Sequence, residues 1–149
     1  MPREDPVLDF LRLMWAVDHE LQSVSKRMLT ELGLTGPQRL AVRFIGLQPG
    51  LAAGELAALL HLDPGTVTGI LRRLELARMI VRARDPSDSR RVCLTLTRRG
   101  QAMNRHRTGT IEFAVRRALA SVPDSDVRAA RRVLKLLAEQ LGAAAVRAR

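Results

Sequence analysis

The chain has 149 residues, which is enough for one domain with a real core and short for two independent domains. Its composition, 46% hydrophobic and 27% charged, is that of globular material and excludes a disordered chain. The net charge of +10 is unevenly placed: residues 72–99 and 100–149 carry +6 each, which favours a polyanionic partner.

No apolar run approaches the ~18 residues of a membrane span, and the first seven residues lack the apolar stretch of a signal peptide. The single cysteine, Cys93, excludes an intramolecular disulfide. We therefore expect a cytoplasmic protein with no membrane partner. Aromatic residues make up only 3% of the chain, which argues against binding single-stranded nucleic acid by base stacking.

Residues 6–33 predict a long first helix with two apolar stripes. A domain of this size is too small to cover both stripes, so we expect part of this helix to be a subunit interface. Gly33 is the predicted C-cap. The first stripe has heptad-like spacing and consists of Val7, Phe10, Met14, Val17, Leu21, Val24 and Met28; the second adds Leu8, Leu11 and Trp15.

Two shorter helices follow. Thr35 is the predicted cap of the first, which carries apolar residues up to Leu47 and ends at 48–50. The second has Leu56, Leu59 and Leu60 on one apolar stripe and stops at 61–62.

A further helix begins at once, over about 64–76, because Asp63 is a good N-cap and Pro64 suits the first helical position. Its apolar face is Val67, Ile70, Leu71 and Leu74, and its polar face is Thr66, Thr68, Gly69, Arg72 and Arg73. Two short helices joined by such a tight turn indicate a helix-turn-helix, whose second helix enters a DNA major groove.

A β-hairpin is predicted over about 79–96. Val92, Leu94 and Leu96 alternate with polar or small residues, and residues 85–89 are rich in turn formers. A hairpin directly after a recognition helix is a wing, and this one is basic, with Arg82, Arg84, Arg90 and Arg91.

The C-terminal third predicts two long helices. Thr97 caps the first, from about 98 to 121, whose polar middle with Gly109 we interpret as a bend or a close helix crossing. Its predicted buried residues are Ala102, Met103, Ile111, Ala114, Val115, Ala118 and Leu119. After a break at 121–124, the last helix has a heptad seam of Val127, Ala130, Leu134, Leu137 and Leu141.

These elements carry a family resemblance over about one third of the chain. The sequences ELAALLHL, TVT and RLE in the two central helices, Asp85-Pro86-x-Asp88-x-Arg90 in the wing and Leu96-Thr97-x-x-Gly100 after it resemble the MarR family of bacterial winged-helix regulators. The resemblance implies a two-fold dimer of interlocked terminal helices on pseudo-palindromic DNA, with each wing tip in a minor groove. It also implies that Arg90 is the wing-tip arginine and that Asp88 holds it. Many relatives carry a larger polar or basic residue where this chain has Gly69.

The predicted fold is mainly α with a small β-wing: a winged helix-turn-helix at 35–97, flanked by dimerisation helices at 6–33 and 98–145 in one domain. The predicted DNA contacts are Thr66, Thr68, Gly69, Arg72, Arg73, Arg84, Asp88, Arg90 and Arg91. Which of Arg72 and Arg73 faces the bases is left open. The alternative for these residues is a solvated helix face and a salt bridge in a surface turn.

A ligand pocket is the weaker hypothesis. Trp15 and His19, one turn apart, lie where the family's pocket would be, and Arg12 and Arg43 would suit a small aromatic or anionic effector. The simpler interpretation, which we favour, makes Trp15 a core residue. Cys93 is likewise interpreted as inert, because the family's sensing cysteines typically lie in the first helix.

No catalytic or cofactor motif is present, and His19, His61 and His106 lack metal-ligand spacing, so we expect neither enzyme nor cofactor nor metal. The predicted function is a sequence-specific regulator of double-stranded DNA, acting as a homodimeric repressor that a small ligand would release. The alternatives are a non-specific architectural DNA-binding protein and a winged helix that contacts proteins.

Overall fold

The structure, a computed structural model, describes residues 5–147; residues 1–4, part of the stretch searched for a signal peptide, lie outside it. In chain order the elements are α1 (Pro6–Leu32), α2 (Gly36–Leu47), β1 (Leu51–Ala52), α3 (Ala53–Leu60), α4 (Pro64–Leu76), β2 (Ile80–Arg84), β3 (Val92–Leu96), α5 (Arg98–Arg105), α6 (Ile111–Leu119) and α7 (Asp124–Arg147). They form two compact units, Met1–Ile111 and Glu112–Arg149. None of the helices within residues 5–147 has the length and apolar character needed to cross a membrane. The predicted fold class, mainly α with a small β-wing, is confirmed.

Helix α1 begins and ends where the sequence predicts. The Asp5 carboxylate accepts a hydrogen bond from the Val7 amide at 2.9 Å, and Gly33 closes the helix in the left-handed conformation with φ 76°. In the single chain, Met28 is the one buried residue of α1, whereas Val7 and Val17 are 63% and 59% exposed. One copy of the chain therefore leaves most of both apolar stripes uncovered.

The core lies where α2, α3 and α4 pack on the sheet. Thr35 and Gln38 form a reciprocal capping box that starts α2. The core residues are Leu34, Ala41, Val42, Ile45, Leu51, Leu56, Ala57, Val67, Ile70, Leu71, Leu74, Met79, Ile80 and Leu94. Two residues of the predicted apolar faces are exposed to solvent. Leu47 is 71% exposed at the end of α2, and Leu59 is 47% exposed on α3, where Leu56 and Ala57 form the buried face.

The sheet has three strands in the order β1-β3-β2, one more than the predicted hairpin. The extra strand, β1, pairs Leu51 with Leu94 and Ala52 with Cys93, so β3 is hydrogen-bonded on both sides. The sequence prediction missed β1 because a two-residue strand leaves no alternation to detect. Of the predicted wing stripe Leu94 is buried, but Val92 is 40% exposed because it lies toward the wing tip.

The helix predicted over about 98–121 is not continuous, and the bend interpreted at its polar middle corresponds to a full break. It is broken between Arg105 and Ile111, giving α5 and α6, and Gly109 adopts a left-handed φ of 73° there. The buried Arg39 of α2 donates to the carbonyl oxygens of Met103 and His106 at the end of α5. A buried guanidinium needs such acceptors, and those carbonyl groups are available only where the helix stops.

The second unit contains most of α6 and all of α7. None of residues 112–145 is buried. Val115 and Leu119, which were predicted to be buried, are 45% and 46% exposed in the single chain. Leu134 and Leu141 of the predicted heptad seam are 57% exposed each. These apolar faces are therefore available for a partner surface.

Candidate nucleic-acid interface

The turn between α3 and α4 fixes the direction of the second helix. His61 ends α3 in the left-handed conformation with φ 55°, and the Leu62 amide donates to the Ala57 carbonyl at 3.1 Å. Asp63 then caps α4 by accepting from the Thr66 amide at 2.9 Å, with Pro64 in the first turn, as predicted. The helix bounds equal the predicted ones, because both the cap and the apolar face of α4 are local features of the sequence.

The opposite face of α4 presents the predicted recognition residues, all of them exposed: Thr66, Thr68, Gly69, Arg72 and Arg73. Both threonine hydroxyls donate within the helix. Thr66 Oγ1 donates to Asp63 Oδ2 at 2.5 Å and Thr68 Oγ1 donates to the Pro64 carbonyl at 2.9 Å. The hydrogen bond from the Thr66 hydroxyl, followed by that from its amide, lowers the pKa of Asp63. These hydroxyls therefore offer lone pairs, and not free O–H groups, to a partner.

Helix geometry distinguishes the two arginines of this face. At about 100° per residue, Gly69 and Arg72 lie opposite the buried stripe, whereas Arg73 lies at its edge. Arg73 lines a recess with Gly33, Leu34 and Gln38 near the junction of α1 and α2. A Cβ atom added at Gly69 would meet nothing within 4 Å, so no intramolecular packing requires glycine there.

The wing tip is built by two aspartates. Asp85 accepts from the Ser87 hydroxyl at 2.6 Å and from the Ser87 amide at 2.8 Å. Both bonds lower the pKa of Asp85, and the bond from the hydroxyl has the larger effect. Asp88 accepts from the Arg90 amide at 3.0 Å. Asp88 therefore contacts Arg90 as expected, but through the backbone amide and not through the guanidinium. Within residues 5–147 the exposed Arg90 guanidinium has no hydrogen bond or ion pair.

Arg91 differs from its neighbour because it turns back to the helix-turn-helix. Its guanidinium donates to both carboxylate oxygens of Glu55, at 2.9 and 3.2 Å, and to the Gly50 carbonyl at 3.4 Å. Glu55 also accepts from the Ala52 amide at 2.8 Å. The pKa of Glu55 is lowered, first by the Ala52 amide and then by Arg91, and the hydrogen bond with Glu55 raises the pKa of Arg91. Sequence reasoning missed Glu55 as a partner of the wing.

The other predicted wing residue, Arg84, is exposed at the end of β2 and donates to the Ser89 carbonyl at 3.5 Å. Arg82, two residue pairs further from the tip, forms an ion pair with Glu75 of α4 at 2.9 Å. Cys93 is partly buried, with Sγ 3.8 Å from Asp85 Oδ2. Arg84 and Arg90 are therefore the arginines of the hairpin that remain open to a partner.

The candidate ligand residues do not form a shared site in the single chain. Arg12 pairs with Asp9 on its own helix at 2.6 Å. Trp15 is 68% exposed, which contradicts the core position favoured for it, and His19 is also exposed. Arg43 donates to Asn104 Oδ1 of α5 at 2.6 Å. These four side chains have different surroundings, and a pocket that joins them would need a second surface.

A helix-turn-helix with a basic exposed second helix, followed by a basic hairpin, defines a winged-helix DNA-binding protein. Residues 32–91 match the sequence model of the MarR family. A transcriptional repressor of the helix-turn-helix type from Mycobacterium tuberculosis is 31% identical over 125 residues, which cover 84% of this chain and 90% of the relative. The chain belongs to the MarR family of DNA-binding transcriptional regulators, which confirms the sequence prediction.

Solved structures agree on the fold. MepR of S. aureus, solved in complex with DNA, superposes with a TM-score of 0.73 at 22% identity, over 89% of this chain and 97% of that one. A MarR family protein of Mycobacterium tuberculosis, solved in complex with salicylic acid, has a TM-score of 0.57 at 31% identity, over 84% of this chain and 93% of that one.

Proposed function

We propose that this chain acts as a homodimer that binds a pseudo-palindromic operator in double-stranded DNA and represses transcription. In a two-fold dimer, the two copies of α4 enter successive major grooves about one helical turn apart, and the wings reach the adjacent minor grooves. Repression is proposed because the Mycobacterium tuberculosis relative is named a repressor.

The observation that carries the proposal is the contrast between the two faces of α4. One face is fully used by the core, and the other carries two arginines and two threonines with no tertiary hydrogen bond or ion pair within residues 5–147. We assign Arg72, at the centre of the exposed face beside Gly69, to base contact, since a guanidinium can donate to two guanine acceptors. Arg73, at the edge, is assigned to a phosphate.

In the wing, Arg90 and Arg84 are assigned to the minor groove, where the negative potential attracts guanidinium groups. Asp88 supports Arg90 through the backbone, and Arg91 holds the wing in place. Arg91, which the sequence predicted as a DNA contact, is therefore assigned to supporting the wing and not to binding DNA.

Dimer formation is supported by the uncovered apolar residues of α1, since a soluble monomer rarely exposes a large contiguous apolar surface. Val7, Phe10, Val17 and Leu21 are between 39% and 63% exposed. In the second unit Leu134 and Leu141 are exposed as well. A second copy of the chain is always available as a partner, so a homodimer would cover these surfaces in every molecule.

A small aromatic acid is the effector class we propose, because the salicylic acid complex belongs to a relative with 31% identity. In the dimer, Trp15, His19, Arg12 and Arg43 are the candidate contacts. Binding would favour one spacing of the two recognition helices and so change operator affinity. Trp15 is the single tryptophan, so salicylate binding should quench its fluorescence, and a His19→Ala, Arg43→Ala variant should lose this response.

A non-specific architectural role is the second candidate, favoured by Gly69, which leaves the centre of the recognition face without a side chain. Fluorescence anisotropy on DNA from upstream of the gene, against a scrambled duplex and across a salt series, separates the two roles. An operator bound about 10³-fold more tightly than scrambled DNA supports a specific regulator. Equal binding to all upstream fragments and to scrambled DNA, falling steeply with salt, supports the architectural role, and absence of binding at low salt refutes both.

A further inference from the structure

Four cationic side chains form a stripe on one face of α7. Arg128, Arg131, Arg132 and Lys135 follow the spacing i, i+3, i+4, i+7, which places them on adjacent turns of the same face. All four are exposed, and they line a recess of about 260 Å³ to which no other residue contributes among those described. This cationic stripe lies outside the winged helix and has no part in the function proposed above.

The stripe has no counter-ion in the part of the chain that is described. Asp124 lies one turn before Arg128 and Glu139 one turn after Lys135, yet neither forms an ion pair with the stripe. Like charges three or four residues apart destabilise a helix. Four such pairs occur here, at 128–131, 128–132, 131–135 and 132–135. Their repulsion lowers the stability of α7 in the free protein, and no described ion pair offsets it.

The stripe is also separate from the apolar seam of the same helix. Seam residues such as Ala130 and Leu137 are centred about 130° around the helix from the stripe. A partner helix that covers the seam would therefore leave the four cations exposed to solvent.

We propose that the cationic stripe binds a chain of phosphate groups, as in inorganic polyphosphate or a nucleoside triphosphate. Consecutive phosphates bring several negative charges and many acceptor oxygens into a small volume, which matches four cations around one recess. A DNA duplex is the other polyanion that such a stripe could meet, so duplex DNA is included in the test. The bound phosphates would remove the repulsion along the helix and so stabilise the protein.

The test measures inorganic tripolyphosphate binding to the full-length protein by calorimetry, together with thermal unfolding, in the absence of DNA. A stripe variant carries Arg128→Gln, Arg131→Gln, Arg132→Gln and Lys135→Gln. A control variant removes the same charge elsewhere, through Arg98→Gln, Arg99→Gln, Arg116→Gln and Arg117→Gln, all at exposed positions. ATP, adenosine and a scrambled DNA duplex are the further ligands, each added alone.

We expect tripolyphosphate to raise the Tm of the wild type and of the control variant. The stripe variant should bind at least tenfold more weakly, and should have a higher Tm than the wild type without ligand, because its like-charge repulsion is gone. ATP binding with no adenosine binding supports recognition of the phosphate chain.

Three results would overturn the proposal. One is equal tripolyphosphate binding by the stripe variant and the wild type. Another is an equal reduction of binding in the control variant, which would mean that only net charge matters. The third is a larger loss of scrambled-DNA binding than of tripolyphosphate binding in the stripe variant, which would show that the stripe binds DNA. Because tripolyphosphate binding is measured without DNA, its failure is independent of the operator experiment.

Discussion

Glu55 and Arg91 lie 36 residues apart in the sequence and form a two-pronged ion pair, with both carboxylate oxygens accepting from the guanidinium at 2.9 and 3.2 Å. Glu55 belongs to the first helix of the helix-turn-helix and Arg91 to the wing. The same guanidinium reaches the Gly50 carbonyl, and the same carboxylate accepts from the Ala52 amide. The pair therefore ties the wing to the segment that contains β1.

The first prediction concerns this pair. Glu55→Gln should weaken operator binding by a few fold, because the wing loses an anchor while all residues assigned to DNA stay present; the effect is small since the pair is exposed. Anisotropy measures the affinity. The exchanged variant, Glu55→Arg with Arg91→Glu, should recover part of the affinity. The Arg91→Glu variant is the control, and an exchanged variant that binds no better than Arg91→Glu would show that Arg91 contacts DNA directly.

The second prediction is the pH dependence of stability. The pKa values of Glu55, Asp63 and Asp85 lie below the ordinary values of 4.5 for glutamate and 3.8 for aspartate. The stabilisation they give is therefore complete above about pH 4.5 and is lost as the pH falls through the lower folded values. Thermal unfolding should show a falling Tm below this pH. The combined Glu55→Gln, Asp63→Asn, Asp85→Asn variant should have a lower Tm at neutral pH and lose less of it on acidification. If the Tm of the variant and of the wild type fall in parallel, other groups cause the acid sensitivity.

The third prediction compares two glycines. Gly69→Ala should stabilise the protein by about 1 kcal/mol, because the position is helical and a Cβ meets open space. For a chain of this size the Tm should rise by about 3 °C. Gly100→Ala should destabilise it, since a Cβ there would lie 2.0 Å from the Met79 carbonyl oxygen. If Gly69→Ala also weakens operator binding by more than tenfold, DNA approaches the α4 backbone closely at Gly69.

The fourth prediction separates the basic residues by their salt dependence. Arg73→Ala should weaken binding to all duplexes similarly and reduce the slope of log K against log salt by about one unit, because the variant neutralises one phosphate fewer. Arg72→Ala should instead reduce the preference for the operator over scrambled DNA. Anisotropy on both duplexes across a salt series measures both quantities. If Arg72→Ala instead weakens binding to both duplexes equally, Arg72 does not contact a base and another residue of the helix must do so.

Local signals explain what the sequence predicted. Asp63, Pro64 and the apolar face of α4 are neighbours in the chain, so the recognition helix and its bounds follow from them. At the break between α5 and α6 the carbonyl groups accept from Arg39, more than sixty residues away, and periodicity carries no trace of that contact. The pairing of Arg91 with Glu55 escapes prediction for the same reason, since in the sequence Arg91 resembles its neighbour Arg90.

The base of the wing is closed just outside β2 and β3. The Thr97 amide donates to the Met79 carbonyl at 2.9 Å, and its hydroxyl donates to the Arg78 carbonyl at 2.6 Å. Residues added at the tip lengthen a loop whose ends are already fixed, and the entropic cost of lengthening a loop grows only logarithmically. Lengthening the tip should thus cost the fold little stability, so the length of the tip and the positions of Asp88 and Arg90 would be constrained by DNA contact and not by folding.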